Sequence, residues 1–155
     1  DLTPEKLELL NPSSTESHEA TLADDVKGMD LYIGLSRGGL LTQDMVRTMA
    51  DKSIVFALAN PTPEIMPDEA RAAGTYIIAT GRSDFPNQLN NSLVFPGAFK
   101  GMLDGNIPQF KTEMFIGIAE AIASHVNDIT PEHIIPSMFD KDIAPLVAQT
   151  IQKFA

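Results

Sequence analysis

The sequence predicts an α/β fold, with a partial Rossmann-like parallel sheet of about three strands, flanked by helices and followed by a helical C-terminal part. Three apolar runs of strand length occupy residues 31–36, 53–59 and 75–80. Helical patterns separate these runs. Runs that are apolar on both faces and alternate with helices are typical of parallel strands joined by right-handed helical crossovers.

In the N-terminal half, residues that typically begin helices or form loops predict where the elements lie. Thr3 and Pro4 predict the start of a helix at 6–10, and the polar stretch 11–18 predicts a loop. Thr21 is predicted to cap a helix at 22–27.

Two further helices are predicted between the apolar runs. Thr42 is expected to cap a helix at 43–50. Pro67 is expected to open a helix through residue 73, and Gly74 suits its C-terminal end.

The C-terminal part has helical periodicity in three segments, at about 93–103, 111–126 and 143–154. A sheet of only three apolar parallel strands would leave two unprotected edges. The chain also begins with Asp1 rather than Met. We therefore expect the native sheet to be larger, with the missing strands upstream of these residues.

The composition restricts the function classes. The 155 residues suit one domain, and 11 basic against 21 acidic residues give a net charge of −10, which argues against nucleic acids and anionic membranes as partners. The absence of cysteine excludes disulfides and thiolate chemistry. A secreted disulfide scaffold is thereby excluded, so a cytoplasmic location is expected. No apolar stretch is long enough to span a membrane, and no signal peptide is visible.

The candidate functional residues follow the predicted strands, because ligands of open parallel sheets bind at the carboxyl ends of the strands. The first such loop contains Ser36, Arg37, Gly38 and Gly39. Its glycines allow close approach of the backbone to a ligand, or alternatively serve a tight turn. The chain contains no GxGxxG fingerprint.

The second loop begins with Asn60, which follows the most apolar run directly. Its carboxamide suits a carboxylate, a hydroxyl or a nicotinamide amide, and Pro61 and Pro63 stiffen the backbone behind it. The alternative is an Asx turn that ends the strand. Glu64 is expected to be a solvated turn residue.

The third loop, 81–92, is dense in neutral amides and is interpreted as the polar lip of a site, with a hydrated surface loop as the alternative. Arg82 is expected to pair with Asp84, although it could instead attract a substrate carboxylate or a cofactor phosphate. Tyr32 and Tyr76 are expected to pack in the core, and Lys100 to be solvated. The histidines are expected to be isolated from one another and from carboxylate pairs.

These loops carry a family resemblance. The chain resembles the C-terminal, cofactor-binding domain of bacterial-type malic enzymes over about residues 20–155. The resemblance rests on these stretches, in this order: Leu31-Tyr32-Ile33-Gly34-Leu35-Ser36, Ala59-Asn60-Pro61-Thr62-Pro63-Glu64, Gly81-Arg82-Ser83-Asp84-Phe85-Pro86-Asn87-Gln88, Asn90-Asn91-Ser92-Leu93-Val94-Phe95-Pro96-Gly97 and Gly101-Met102-Leu103-Asp104.

The resemblance implies oxidative decarboxylation of malate to pyruvate and carbon dioxide, with NAD or NADP and with Mg²⁺ or Mn²⁺ as cofactors. It implies that Asn60 lies at malate and the nicotinamide, that Asn91 contacts malate with Asn90 adjacent, and that Ser36 lies along the cofactor. It places the catalytic Lys and Tyr and the metal ligands upstream, so no catalytic or metal-binding residue is expected in this chain.

The expected partners are malate, the upstream part of the same polypeptide and further copies of the chain in a homo-oligomer. Two alternatives to this function stay open: a different reaction of a related enzyme, and a fragment without catalytic activity. Related enzymes decarboxylate oxaloacetate or convert malate to lactate. A non-catalytic α/β fragment whose exposed sheet edge serves association is the other alternative.

Overall fold

The computed structural model describes residues 21–155. The predicted helix at 6–10 and loop at 11–18 lie outside the described residues. Three strands form one sheet: β1 (Leu31–Gly34), β2 (Ile54–Ala57) and β3 (Ile77–Thr80). Their order is β1-β2-β3 and both pairs are parallel. The predicted fold class and the parallel pairing are therefore confirmed.

Three short helices cover one face of this sheet: α1 (Leu22–Asp25), α2 (Gln43–Arg47) and α3 (Pro67–Ala72). The predicted start signals act as expected. The Thr42 hydroxyl accepts the Met45 N–H at 3.3 Å at the start of α2, and Pro67 opens α3. Gly74, just beyond α3, has φ +103°, a backbone conformation that glycine adopts without a steric penalty.

The first core lies between these helices and the sheet. Alternate strand residues point toward it, among them Val55, Ala57 and Ile78, which are all buried. The opposite face of β1 carries Leu31 and Ile33, which are 48% and 55% exposed, and Leu35 just after the strand is 78% exposed. The sheet is thus packed on one face, and at β1 its other face is open.

The C-terminal part forms a second core of its own. A 3₁₀ turn (Asn91–Leu93) leads into α4 (Phe95–Asp104), which is followed by α5 (Thr112–His125) and α6 (Ile143–Gln152). Buried side chains from all four elements meet here, including Leu93, Ala98, Met114, Ile118, Val147 and Ile151. The predicted helical segments are confirmed, and each ends within a few residues of its predicted limits.

Helices α4 and α6 approach each other closely through glycines. A Cβ atom on Gly97 would lie 2.5 Å from the Ala144 carbonyl oxygen, and one on Gly101 would lie 2.7 Å from that of Ala148. Such distances are too short for real contacts, so the helix spacing depends on these two glycines.

Asn87 joins the sheet to the helical part. Its side-chain Nδ2 donates to the carbonyls of Ile78 at 3.1 Å and Pro131 at 2.7 Å, and its Oδ1 accepts the Ile134 N–H at 2.9 Å. All three of these hydrogen bonds join the Asn87 side chain to backbone groups. It is 5% exposed, and these bonds satisfy its buried carboxamide.

Outside the strand-end loops, the expectation for one residue was wrong and the expectations for two are confirmed. Tyr76 is 50% exposed, because it precedes β3 and its ring lies 6.0 Å from the Lys52 ammonium rather than in the core. The His125 Nε2 lies 3.0 Å from one carboxylate, that of Asp140. Tyr32 packs against the first core, and Lys100 is a surface residue whose ammonium contacts Asp104.

None of the helices formed by residues 21–155 is long and apolar enough to cross a membrane.

Candidate functional site

The site is built at the carboxyl ends of the three strands, where the predicted loops lie side by side. The first two loops are joined by backbone hydrogen bonds. The Gly39 N–H donates to the Pro63 carbonyl at 3.0 Å, and the Leu41 N–H donates to the Glu64 carbonyl at 3.0 Å. Ser36 begins the first loop and is exposed.

The glycines of the first loop serve its packing on the second. A Cβ on Gly38 would lie 2.7 Å from the Thr62 Cβ, so this glycine permits close approach to another loop. Gly39 has φ +70°, which favours glycine for conformational reasons. Of the two alternatives for this motif, the structure therefore favours the tight turn.

Glu64 is not a solvated turn residue, and that expectation was wrong. Its side chain is 0% exposed. One carboxylate oxygen accepts the Ser36 N–H at 2.8 Å and the other accepts the Ala59 N–H at 3.0 Å. These bonds compensate for the loss of water around the buried carboxylate.

Glu64 also affects the nearest tyrosine. Burial raises the pKa of the Tyr32 phenol above its usual value, and the negative charge of Glu64 raises it further. Gly34 leaves the room that the carboxylate occupies, since a Cβ there would lie 2.5 Å from the Glu64 Cδ.

Most of the polar side chains in the third loop are engaged within the protein. The guanidinium of Arg82 binds Asp84 through two hydrogen bonds of 2.8 and 2.7 Å, as predicted. This pairing raises the pKa of Arg82 and holds the pKa of Asp84 below its usual value. The Asn87 side chain is hydrogen-bonded to backbone groups, and the Gln88 Nε2 lies 3.5 Å from the Gly81 carbonyl oxygen.

Asn90 holds the same loop in shape. Its Nδ2 donates to the Gly81 carbonyl at 3.2 Å, and its Oδ1 accepts the Ser92 N–H at 2.9 Å as the cap of the 3₁₀ turn. The Asn60 side chain also lies near Gly81, with its Nδ2 3.8 Å from the position of a Cβ on that glycine. The second and third loops therefore meet at Gly81.

Asn60 and Asn91 differ from the other asparagines of these loops. Both residues are exposed. Within residues 21–155, neither carboxamide takes part in a hydrogen bond, whereas the side chains of Asn87 and Asn90 are both bonded. Asn60 and Asn91 are thus the asparagines of these loops that keep their donors and acceptors available for a ligand.

A groove of about 700 Å³ lies between the open face of the sheet and α5. Asn90 and Asn91 line it together with Phe56 of β2 and apolar residues such as Leu93 and Ile118. The neighbouring Ser92 hydroxyl is buried, and it has no hydrogen-bond partner among the described residues. An apolar groove with a few polar groups at one end is typical of small-molecule sites.

The structure brings some of the predicted site residues together. Glu64 fixes Ser36 beside the residue before Asn60, and the side chains of Asn60 and Asn90 both lie near Gly81. Asn91 follows Asn90 along the groove. That Asn60 and Asn91 converge on one ligand stays a prediction.

In the part of the chain from residue 21 onward, no three His, Asp or Glu side chains are grouped so that they could hold a metal ion. The described residues therefore do not fit a metal centre by themselves.

Comparison with known proteins gives the family. The family model described as "Malic enzyme, NAD binding domain" matches residues 4–155. The chain is 45% identical over 152 residues to the "Bifunctional malic/malolactic enzyme" of Bacillus subtilis, covering 97% of this chain and 37% of that protein. It is 41% identical over 128 residues to the "NADP-dependent malic enzyme" of Halomonas elongata, covering 82% of this chain and 30% of that one.

The structures agree with the sequences. The crystal structure of malic enzyme from Pyrococcus horikoshii Ot3 superposes with a TM-score of 0.89 and 39% identity, covering 97% of this chain and 35% of that one. The chain thus spans about a third of the length of these relatives. The strand-end loops, the groove and these matches together show that the chain belongs to the malic enzyme family, in its NAD-binding domain.

Proposed function

We propose that this chain forms one wall of the cofactor and substrate site of an NAD- or NADP-dependent malic enzyme, which oxidatively decarboxylates malate to pyruvate and carbon dioxide. The observation that carries the proposal is the pair of unengaged carboxamides, Asn60 and Asn91, at the carboxyl ends of the strands. Ligands of doubly wound parallel sheets bind at this edge.

The residues present suit a nicotinamide and a hydroxy acid. A carboxamide donates two hydrogen bonds and accepts others, so Asn60 can pair with the amide of a nicotinamide and Asn91 with the carboxylate or hydroxyl of malate. Ser36, exposed beside the second loop, offers a hydroxyl along the cofactor. Asn90 keeps one N–H for the substrate after its two loop bonds.

The dinucleotide, when bound, supplies the hydride acceptor of the reaction. In this proposal, the Tyr and Lys that move protons and the ligands of Mg²⁺ or Mn²⁺ are provided by residues outside this chain. The described residues bind and orient the substrate and exclude water from one side of it.

The second candidate function is one of two related reactions. The name of the Bacillus subtilis relative includes a malolactic activity, and conversion of malate to lactate would use the same binding residues. Oxaloacetate decarboxylation is the other variant. The alternative of a non-catalytic fragment that serves association rests on the exposed apolar residues of β1.

We further propose that the upstream part of the polypeptide and other copies of the chain, in a homo-oligomer, are its partners. A cytoplasmic location belongs to the same proposal. The exposed side chains of β1 support a protein contact at this edge.

The test compares the complete polypeptide with the isolated 155-residue chain. Each is incubated with malate, Mn²⁺ and either NAD or NADP, and the reduced cofactor is followed by its absorbance. We expect turnover only from the complete polypeptide. Lactate or pyruvate as the product separates the two reactions, and a complete polypeptide without any malate-dependent turnover would contradict the proposal.

A further inference from the structure

Glu64 lies between the ends of two adjacent strands. The last direct hydrogen bond between β1 and β2 is from the Leu58 N–H to the Gly34 carbonyl, at 3.0 Å. Beyond it, the N–H groups of Ser36 and Ala59 turn to the Glu64 carboxylate. The carboxylate thus bridges the two chain segments just beyond the last direct hydrogen bond between their strands.

The position of this carboxylate is strongly determined. Its two oxygens are held by separate strands, and its own backbone carbonyl accepts the Leu41 N–H. A side chain on Gly34 would overlap it. Because Glu64 is fully buried, it cannot itself contact a bound dinucleotide, yet it fixes the backbone on which Ser36 and Asn60 stand.

We propose that Glu64 is a positioning residue for the nicotinamide half of the cofactor. It sets the separation of the two loops through the Ser36 and Ala59 N–H groups, and so places the Ser36 hydroxyl and the Asn60 carboxamide. This inference rests on the proposed function. A purely structural role would instead affect the whole dinucleotide site or the fold as a unit.

The experiment uses the complete polypeptide with Glu64→Gln and, as a matched control, Glu120→Gln on the exposed surface of α5. Glutamine has the same size, but its NH₂ group faces one of the two N–H donors, so one bond is lost. The probes are NADH or NADPH, whichever the wild type binds more tightly, and the matching ADP-ribose or its 2′-phosphate, which lacks the nicotinamide.

Glu64→Gln loses one of the two hydrogen bonds that set the position of the loops, and we expect this displacement to weaken binding of the reduced dinucleotide by about tenfold, comparable to the energy of one buried hydrogen bond. Affinity for the nicotinamide-free fragment should stay within about twofold, since its contacts lie elsewhere. Amide hydrogen exchange at Ser36 or Ala59 should accelerate before any ligand is added. Glu120→Gln should match the wild type in every measurement.

A folded Glu64→Gln variant that binds both probes like the wild type, or weakens both by the same factor, would overturn the inference. If the variant does not fold, amide hydrogen exchange of the wild-type protein tests the inference instead. Its Ser36 and Ala59 amides must gain protection with the dinucleotide and not with the fragment. A wild type that binds neither NADH nor NADPH would refute the proposed function and this inference with it, whereas a failure confined to Glu64→Gln leaves the proposed function intact.

Discussion

At the residue scale, the asparagines of the strand-end loops divide by whether their carboxamides are already bonded. Asn87 and Asn90 bind backbone groups and shape the protein. Asn60 and Asn91 are exposed at the same edge. Residues of the second kind can be changed with little effect on stability, so they are the better test of binding.

In the complete polypeptide, we expect Asn60→Ala and Asn91→Ala each to lower kcat/KM for malate by about ten- to a hundredfold, because a hydrogen bond to the bound ligands is lost. The thermal midpoint should change little. The measurement is steady-state kinetics beside a thermal unfolding curve. Asn127→Ala, at an exposed residue outside the strand-end loops, is the control and should keep wild-type kinetics. Unchanged kinetics for both site variants would remove these residues from the site.

The Asp140 carboxyl gives a prediction about acid stability. The Asp142 N–H and the His125 side chain hold the pKa of Asp140 below its usual value. A carboxyl with a lowered pKa in the folded state stabilises that state above the unfolded value of about 4, and this contribution is lost as the pH falls through the folded value.

We therefore expect Asp140→Asn to be less stable than the wild type near neutral pH, with the difference shrinking as the pH falls below about 4. Urea unfolding of both proteins across that range measures it. Asp128→Asn changes a nearby exposed carboxylate and serves as the control. A difference that stays constant with pH would show that ionisation of Asp140 does not stabilise the fold.

At the element scale, the spacing of α4 and α6 depends on two glycines. A Cβ on Gly101 would lie 2.7 Å from the Ala148 carbonyl oxygen, whereas one on Gly117 in α5 would have its nearest contacts at 3.4 Å. The two helical glycines thus differ in the room beside them rather than in their backbone.

We expect Gly101→Ala to destabilise the fold by about 1–3 kcal/mol, because overpacking outweighs the gain in helix propensity. Gly117→Ala should be neutral or more stable by up to about 1 kcal/mol. Chemical denaturation measures both. Equal effects of the two substitutions would contradict the role of helix spacing.

The elements themselves were largely predictable, because their signals are local. Continuous apolar runs marked all three strands, and Thr42 and Pro67 marked helix starts. The strands are shorter than the runs, since the Ser36 and Ala59 N–H groups leave the ladder for Glu64. Asn60 and Asn91 were predicted as site residues from their place after strands and from the resemblance.

Glu64 was missed for a physical reason. Its position in a proline-rich turn is typical of an exposed residue. Its burial depends on the space left by Gly34 and on N–H groups up to 28 positions away in sequence. A sequence offers no local signal for such a contact. The internal use of Asn87 and Asn90 was hidden in the same way.

At the scale of the whole molecule, the open face of β1 predicts association. Leu31 and Ile33 on this edge strand, and Leu35 directly after it, are three exposed apolar side chains. We expect the isolated chain to associate as its concentration rises, and Ile33→Lys to reduce this by placing a charge on the edge. Analytical sedimentation measures the association of both proteins. Ile129→Lys alters an exposed isoleucine outside the sheet and should leave association unchanged.

The groove and Asn87 have a thermodynamic consequence. The two cores face each other across about 700 Å³ of open space, and Asn87 links them by hydrogen bonds to backbone groups rather than by shared apolar packing. Cooperative melting needs an interface that makes one part unstable without the other. In the isolated chain, the heat absorbed in a calorimetric scan should therefore exceed the van't Hoff enthalpy of the same transition, and Asn87→Ala should separate the scan into two peaks. A single transition with equal enthalpies in both proteins would mean that the two cores melt as one unit.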